Sequence, residues 1–412
     1  MPHERPASFP YPVVDLDSHV YEQPEIFTGY LDERWREPVT IVLGELYPAT
    51  LGALARGRTP AMTALRGAKY RMGLDAAESW PLNLEDRDYV YPGAFDPHER
   101  LASMDAEGID VTIVRNTLMA GVTSLPDPAM VDALCRAYND WVGDFCAADP
   151  RRLVPEALLP TADPDRAVAE LERTAAKGFR GVIVAGSTPG PPLSDPHWEP
   201  LFARMQEMGW PLCVHAALNN YLNSACQWLA DEKIEHPVSG PAFYSIHVNL
   251  DFVIDNLVTL GEITLGGMAD RFPDLNVYFV EGGHSWVGEV LYRLDKGFHC
   301  PPVEHFRDYE PRATTPPSEI FERQVFVAFE GGDRLYLSPQ VFDRLARNLV
   351  WTSDIPHWDA DGPWEAVGAL RALGASEAAE RAVMGGNAAR LLGVPHEKRV
   401  GTSPASPAAG RS

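Results

Sequence analysis

The chain has 412 residues, of which 45% are hydrophobic, and a formal net charge of -23. This length allows one large hydrophobic core or two smaller ones. The negative charge argues against binding to nucleic acid or to an anionic membrane surface, since both favour clusters of lysine and arginine. The five cysteines are odd in number and lack C-x-x-C spacing, so we expect neither a disulfide framework nor a thiolate zinc site.

The two ends of the chain differ in composition from the part between them. The N-terminal sequence contains no apolar signal segment, and no run reaches the roughly 18 apolar residues that a membrane-spanning helix needs. We therefore expect a soluble, cytoplasmic protein without a membrane partner. Residues 1–12 are expected to be an N-terminal extension and 13–396 a single domain, while 397–412, rich in Ser, Pro, Ala and Gly, are expected to be disordered.

From residue 13 onward, short apolar runs alternate with helical patterns. Residues 21–95, rich in Pro, Gly and charge, lack a clean period, so we expect a long excursion over one end of the fold that could serve as a lid. The segment 96–108 begins with an N-cap aspartate, a proline and a capping-box glutamate, which predicts a helix. Further helices are predicted from residue 127 through 145, at 164–177, 196–208, 286–296 and 338–347, and at about 244–270.

The apolar runs between these helices predict eight strands. They centre near Val14, Val111, Val154, Val182, Leu212, Val277, Val327 and Val350. Strands that alternate with helices are typical of βα units around a parallel sheet. Eight such units predict an α/β fold of the (β/α)8, or TIM-barrel, type with a long insertion after the first strand.

The first strand, V-V-D-L-D-S-H-V at residues 13–20, carries polar side chains at alternate positions. Asp15, Asp17 and His19 therefore share one face of the strand. Two carboxylates and an imidazole are costly to bury unless something compensates their charge, and a divalent metal ion would do so. The alternative is that an aspartate caps a helix and the histidine is simply hydrogen-bonded.

Other potential ligands stand where later strands end. They are His215 after strand five, Glu281 after strand six with His284 three residues on, and Asp354 after strand eight. In a TIM barrel the C-terminal ends of all strands meet at one mouth, where the chemistry takes place. A single histidine after an apolar strand is more often a hydrogen-bonded core residue, but several strand ends with ligand-type residues favour a metal site.

The number of candidate ligands exceeds the needs of one ion. One catalytic ion commonly uses about three or four ligands. Two ions that share a bridging carboxylate could use all six of the candidates at the mouth, which are Asp17, His19, His215, Glu281, His284 and Asp354. Three further residues are secondary candidates. His247 could join the site or could pack within its helix, His357 lies beside Asp354, and Arg115 follows strand two and could clamp a substrate carboxylate.

These motifs resemble those of the amidohydrolase superfamily, in the branch named after aminocarboxymuconate semialdehyde decarboxylase. D-L-D-S-H is similar to the branch's D-x-H-x-H, which implies that Asp17 and His19 are its first two metal ligands. C-V-H places His215 at the third ligand, and W-T-S-D-I-P-H places Asp354 at the metal carboxylate with His357 beside it. G-G-N-A-A-R-L-L-G, 385–393, resembles the helix that usually ends these chains. The resemblance implies a metal-dependent enzyme in a branch whose members are often homodimers.

Two positions depart from the decarboxylase pattern. Where those enzymes end strand six with a histidine, this chain has Glu281, in the run E-G-G-H-S-W, and Asp17 replaces the first histidine ligand. Both changes add hard oxygen donors, which suit iron or manganese better than a histidine-rich zinc site does.

The combination of E-G-G-x-x-W with S-D-x-P-H is similar to the barrel-fold nonheme diiron monooxygenases of platensimycin and platencin biosynthesis. That similarity implies, as the first expectation, an oxidoreductase of antibiotic biosynthesis that uses O2 on a hydrophobic, diterpenoid-type substrate of the acyl-CoA class. Two Fe2+ ions would then be held by Asp17, His19, His215, Glu281, His284 and Asp354, with Glu281, His284 and Asp354 as catalytic residues.

The alternative is a decarboxylase or hydrolase with one Zn2+ or Mn2+ ion that acts on a small carboxylic acid. In that case Glu281 or His284 would be the general acid or base. A third reading is a barrel that binds a ligand without catalysis.

Overall fold

The walls of the fold are short parallel strands. The computed structural model describes residues 9–46, 51–57, 91–186, 191–216, 241–299, 313–331, 339–357 and 360–394. The strand segments are β1 Val14–Asp15, β2 Val111–Val114, β3 Leu153–Pro155, β4 Ala157–Leu158, β5 Val182–Ala185, β6 Leu212–His215, β7 Val277–Val280, β8 Val325–Phe329 and β9 Leu349–Trp351. Their residues are mainly Val, Ile, Leu and Phe and are buried almost throughout, as expected for strands covered on both faces.

Every pair of neighbouring strands is parallel, in the order β1-β2-β3 and then β4-β5-β6-β7-β8-β9. Segments β3 and β4 together form the third predicted strand, which is interrupted at Glu156. The backbone N–H of Glu156 still donates to the carbonyl of Val114 in β2, so the wall continues across the interruption.

The last strand returns to the first. The backbone N–H of Leu16 donates to the carbonyl of Trp351 at 3.2 Å, and that of Asp354 donates to the carbonyl of Asp17 at 2.9 Å. These bonds join the end of β9 to the end of β1 and close the ring. The predicted α/β barrel of eight strand positions is therefore confirmed, and the matches to solved amidohydrolase structures described below support it.

Helices connect the strands and cover the outside of the ring. They are Glu33–Leu46, Leu51–Ala55, Pro97–Glu107, Pro128–Cys146, Pro164–Ala175, Glu199–Met208, Pro241–Leu265, Met268–Arg271, Val287–His299, Pro317–Gln324, Pro339–Leu345, Pro363–Ala372, Glu377–Arg381 and Asn387–Leu392. Three of them begin with an Asp-Pro pair in which the side chain of Asp96, Asp127 or Asp163 accepts hydrogen bonds from first-turn N–H groups. This arrangement satisfies N–H groups that lack partners within the helix.

The excursion after β1 is partly helical. Helix Glu33–Leu46 and helix Leu51–Ala55 bury side chains such as Val39, Leu43 and Leu54 in the main core, so this part of the insertion packs on the barrel. Residues 47–50 and 58–90 lie outside the described residues. The use of 21–95 as a lid therefore stays a prediction.

The predicted N-terminal extension is tied to the fold over the residues that the structure describes. The ring of Phe9 stacks on that of Trp364 with centroids 3.9 Å apart, and the hydroxyl of Tyr11 donates to Glu380 Oε1 at 2.5 Å. Residues 1–8 and the predicted disordered tail, 397–412, lie outside the described residues. Within the described part of the chain, none of the helices has the length and apolar character required to cross a membrane.

Candidate metal centre

Ligand-type side chains from four strand ends meet at the mouth of the barrel. Asp17 and His19 follow β1, His215 ends β6, Glu281 follows β7 and Asp354 lies three residues after β9. The strands are parallel, so their C-terminal ends open on the same side. Two overlapping groups have ligand atoms within 4.8 Å of one another: Asp17, His19, His215 and Glu281 form one, and His19, Glu281, Asp354 and His357 form the other.

The Nε2 atom of His19 lies close to ligand atoms of both groups. This atom lies 3.1 Å from Asp17 Oδ1, 3.4 Å from Asp354 Oδ1 and 3.8 Å from Glu281 Oε1. It also lies 3.4 Å from His215 Nε2, which is itself 3.3 Å from Glu281 Oε1. Two imidazole nitrogens and three carboxylates thus surround one small volume.

Backbone carbonyls fix the orientation of both imidazoles. The Nδ1 atom of His19 lies 2.7 Å from the carbonyl oxygen of Asn116, and that of His215 lies 2.7 Å from the carbonyl oxygen of Ala216. A carbonyl can only accept a hydrogen bond, so each Nδ1 carries the proton. In the neutral rings, both Nε2 lone pairs therefore point to the shared volume, as in histidines that bind a metal ion.

The carboxylate of Asp17 supports the same conclusion. Both of its oxygens are buried, and neither meets the geometry of a hydrogen bond to any described residue, although Oδ1 lies 3.0 Å from Nη1 of Arg115. A buried carboxylate normally has its oxygens satisfied. Together with the two lone pairs, these oxygens fit a divalent cation with nitrogen and oxygen ligands.

The surroundings shift the pKa values of the two site histidines in opposite directions. Burial and the neighbouring His357 lower the pKa of His19 to about 4, although Asp17 acts against them, so this ring is neutral near pH 7. Burial alone would lower the pKa of His215, but the charge of Glu281 raises it to about 9. Burial opposes ionisation of Glu281 as well, yet His215 holds the pKa of that carboxyl below its ordinary value. Binding of a cation would therefore release a proton from His215.

Two site residues have an unusual backbone. Glu281 and Asp354 have φ values of 59° and 57°, and they are the two non-glycine residues with positive φ in the described ranges. This conformation is uncommon for residues with a Cβ atom and is retained where the surrounding structure enforces it. Both residues lie just beyond the C-terminal end of a strand, at the mouth of the barrel.

Three further predicted residues differ in their placement: one lies apart from the converging ligands, one falls outside the described residues and one joins the site. His284 is buried with its ring 5.4 Å from that of Phe329 and belongs to neither group of converging ligand atoms. The side chain of His247 lies outside the described residues. His357, a secondary candidate, does join the site, since its Nδ1 lies 2.6 Å from Asp354 Oδ1.

Arg115 lies inside the barrel instead of at its mouth. Its side chain is fully buried, with Nη1 3.0 Å from Asp17 Oδ1 and Nη2 3.0 Å from Glu156 Oε2. The guanidinium thus contacts carboxylates of the chain itself. Glu156 and Tyr278, which also contacts Arg115, were not recognised from the sequence. A glutamate within the apolar run L-V-P-E-A-L-L, 153–159, was the available signal.

Comparisons with known proteins identify the family of the chain. A family model described as "Amidohydrolase" matches residues 77–394. A gamma-resorcylate decarboxylase of Rhizobium sp. (strain MTP-10005) is 33% identical over 208 residues, which are 48% of this chain and 58% of that protein. The chain thus spans little more than half the length of this curated relative.

Solved structures show the same fold at low identity. The amidohydrolase map2389c from Mycobacterium avium subsp. paratuberculosis matches with a TM-score of 0.69 and 22% identity, over 93% of this chain and 100% of that one. A 5-carboxyvanillate decarboxylase from Novosphingobium aromaticivorans, complexed with manganese and 4-hydroxy-3-methoxy-5-nitrobenzoic acid, matches with a TM-score of 0.60 and 19% identity, over 93% and 96%.

These findings correct the first functional expectation. The predicted monooxygenase of antibiotic biosynthesis is wrong, because the relatives are decarboxylases, which matches the alternative instead. O2 and an acyl-CoA substrate, which depended on that expectation, are withdrawn with it. The similarity to the platensimycin and platencin enzymes is likewise without support.

The prediction of two Fe2+ ions is also wrong. The related decarboxylase structure contains manganese, and the geometry gives the physical reason. His284, one of the six ligands predicted for two ions, belongs to neither group of converging ligand atoms, so the described residues do not bring the predicted set together.

Proposed function

The chain belongs to the amidohydrolase family, and from that premise we propose that it is a decarboxylase that uses one divalent metal ion, Mn2+ in the first instance, and acts on a small aromatic carboxylic acid. The observation that carries the proposal is the convergence of His19 and His215 Nε2 with the carboxylates of Asp17 and Asp354 at the barrel mouth. The decarboxylase relatives support the reaction, and the ligand of the manganese-containing structure supports the substrate class.

The residues divide into those that hold the ion and those that handle a proton. Asp17, His19, His215 and Asp354 would hold the ion, which when bound polarises the substrate carboxylate. In the reaction the bond between the ring carbon and the carboxylate breaks, CO2 leaves with its two oxygens, and a proton takes its place on the carbon. The protein must therefore supply one proton at that carbon for each turnover.

His357 and Glu281 are the residues that we assign to this proton. An imidazole can carry a proton near neutral pH, and Nδ1 of His357 lies 2.6 Å from Asp354 Oδ1 and 3.7 Å from Glu281 Oε1. The side chain of His357 is 22% exposed, so it can exchange protons with water between turnovers. The carboxylate of Glu281 takes the position at the end of β7 where the family resemblance would place a histidine.

Hydrolysis of an ester or amide is the competing reaction, because an ionised Glu281 could also activate water. Protein loaded with Mn2+ should be incubated with gamma-resorcylate and with 5-carboxyvanillate in D2O, with and without oxygen. We expect release of CO2 and uptake of one deuterium on the ring, at the same rate in both atmospheres and abolished by a chelator. Ester or amide cleavage without CO2 release, or a requirement for oxygen, would contradict the proposal.

The variant His357→Gln separates proton transfer from metal binding. We expect it to lose about 100-fold or more in CO2 release while it retains Mn2+. His98, which is exposed at the start of helix Pro97–Glu107, provides the matched control as His98→Gln and should leave both properties unchanged. Loss of Mn2+ in His357→Gln would instead make His357 a ligand.

A further inference from the structure

A chain of buried polar groups lies directly behind Asp17. Arg115 contacts Asp17 through Nη1 and Glu156 through Nη2, at 3.0 Å in both cases. Nη2 also donates to the carbonyl of Leu16 at 2.7 Å and to the hydroxyl of Tyr278 at 3.0 Å. The hydroxyl of Tyr278 in turn donates to Glu156 Oε1 at 2.5 Å. One guanidinium is thus shared by two carboxylates.

The backbone around Glu156 leaves room for its side chain inside the barrel. The residue occupies the interruption between β3 and β4 and is fully buried. The neighbouring Gly181 has a φ of 87°, and a Cβ atom there would lie 3.1 Å from Glu156 Oε1. A side chain at residue 181 would crowd this carboxylate. Burial raises the pKa of Glu156, whereas the charge of Arg115 and the hydrogen bond from Tyr278 favour its ionised form, so the retention of this carboxyl inside the barrel calls for a reason beyond packing.

The charges supply that reason. If Arg115 faced Asp17 alone, its single positive charge would be matched by the carboxylate that the metal ion needs. Because Glu156 takes the other side of the guanidinium, the three groups together keep one net negative charge. Arg115 can then orient Asp17, as outer partners orient metal ligands elsewhere, without cancelling its attraction for a cation.

We propose that Glu156 is a positioning residue for the metal centre: by pairing with Arg115 it leaves the carboxylate of Asp17 available as a ligand. This inference rests on the metal centre of the proposed function, but it concerns binding and not turnover. Its test therefore uses the affinity for Mn2+, measured from the electron paramagnetic resonance signal of the free ion.

The first variant is Glu156→Gln, which keeps the shape of the side chain and removes its charge. We expect the Kd for Mn2+ to rise about 10-fold or more, the range found when outer partners of metal ligands are removed. Glu170→Gln is the matched control, since Glu170 is also fully buried and pairs at 2.7 Å with Arg173, which lies three residues later in the same helix and outside the ligand groups. Its Kd should stay at the wild-type value even though its thermal stability falls. An unchanged Kd in Glu156→Gln, or an equal rise in Glu170→Gln, would overturn the inference.

The double variant Glu156→Gln with Arg115→Met removes both charges. Replacing both members of a buried pair avoids leaving an unpaired charge. The double variant can therefore be measured even if the single variant does not fold. We expect its Kd to lie within about 3-fold of wild type, because the net charge behind Asp17 is restored. A Kd at least as weak as that of Glu156→Gln would overturn the inference. If wild-type protein itself bound no Mn2+, the proposed function would fail first, so the two failures are distinguishable.

Discussion

His215 is the residue whose replacement most directly tests the centre. Its Nε2 lies 3.4 Å from that of His19 and 3.3 Å from Glu281 Oε1, and its ring lies at the mouth instead of in the core. His215→Ala should therefore reduce bound Mn2+ from about one per chain to a small fraction, while far-UV circular dichroism stays unchanged. Elemental analysis after gel filtration gives the metal content.

A control for this experiment is available at another half-buried histidine. His197 Nε2 lies 2.9 Å from the carbonyl oxygen of Thr161, and it takes no part in the ligand groups. His197→Ala should keep its Mn2+. If His215→Ala also kept a full complement of metal, the centre would have to be held by other residues.

At the scale of single residues, the sequence predicts site positions best where a ligand-type side chain directly follows a strand. Asp17, His19, His215 and Asp354 could be predicted because each follows an apolar run, and the barrel brings such positions together. Glu156 could not be predicted as part of the site, because its role depends on Arg115, which lies 41 residues away in the chain. His284 was assigned by its proximity to Glu281 in sequence, whereas the turn after β7 carries its ring toward Phe329.

At the scale of elements, the π-helical segment Ala382–Gly386, which joins the last two α-helices, lies against the start of β1. A Cβ atom on Gly385 would collide with the backbone carbonyl of Pro12, which cannot move without shifting β1. We expect Gly385→Ala to destabilise the fold by about 3 kcal/mol, as an overpacked core position does. Chemical denaturation gives the free energy of unfolding.

Gly368 is the matched position for this comparison. It lies within helix Pro363–Ala372, and a Cβ atom there would have nothing within 4 Å. Gly368→Ala should therefore be neutral or stabilise by about 0.5–1 kcal/mol, through helix propensity alone. A large loss at both positions would show that the collision at Gly385 is not the cause.

The segment before β1 is held by a charged group in helix Glu377–Arg381. Glu380 accepts from the hydroxyl of Tyr11 and from Nε of Arg371. Burial alone would raise the pKa of Glu380, but the hydrogen bonds from Arg371 and Tyr11 hold it below its ordinary value. A lowered folded-state pKa means that this stabilisation is present above the unfolded value, near pH 4.3, and is lost as the pH falls through the folded value.

Replacing this carboxylate should therefore change the pH dependence of stability. Glu380→Gln should lower the free energy of unfolding by about 1–2 kcal/mol at pH 7. This is the lower end of the range for hydrogen bonds to charged groups, because Arg371 is largely exposed. The loss should shrink toward pH 3. Glu377→Gln, whose carboxylate is exposed on the same helix, should show neither effect. A loss for Glu380→Gln that did not vary with pH would contradict a role for its charge.

Elements were predicted most accurately where local signals were strong. The Asp-Pro pairs placed the starts of helix Pro97–Glu107 and helix Pro128–Cys146 correctly, because side-chain capping acts locally. The long helix expected at about 244–270 is instead divided into Pro241–Leu265 and Met268–Arg271. Gly267, with a φ of 76°, ends the regular pattern, and an apolar period alone does not reveal such a break.

At the scale of the whole molecule, the formal net charge of -23 dominates the electrostatics. Self-repulsion of a strongly charged chain destabilises its compact state, and salt screens it because the Debye length falls from about 30 Å at 0.01 M to about 8 Å at 0.15 M. The Tm of protein freed of metal by a chelator should therefore rise by roughly 2 °C when the KCl concentration is raised over this range. Tetramethylammonium chloride should raise the Tm by the same amount, because screening of charge does not require a specific cation site. A fall in Tm with salt would mean that local ion pairs contribute more to stability than the net charge does.

The closure of the ring determines when the metal centre can first exist. Two of the ligands that we propose, Asp17 and His19, follow the first strand. A third, Asp354, follows the last strand, where its N–H donates to the carbonyl of Asp17. A chain emerging from the ribosome therefore lacks Asp354 until β9 has been made, and the site is complete only when β9 has docked. If the proposed centre binds its metal ion through these residues, binding would follow folding, and a loaded centre would mark a molecule whose two ends have already met.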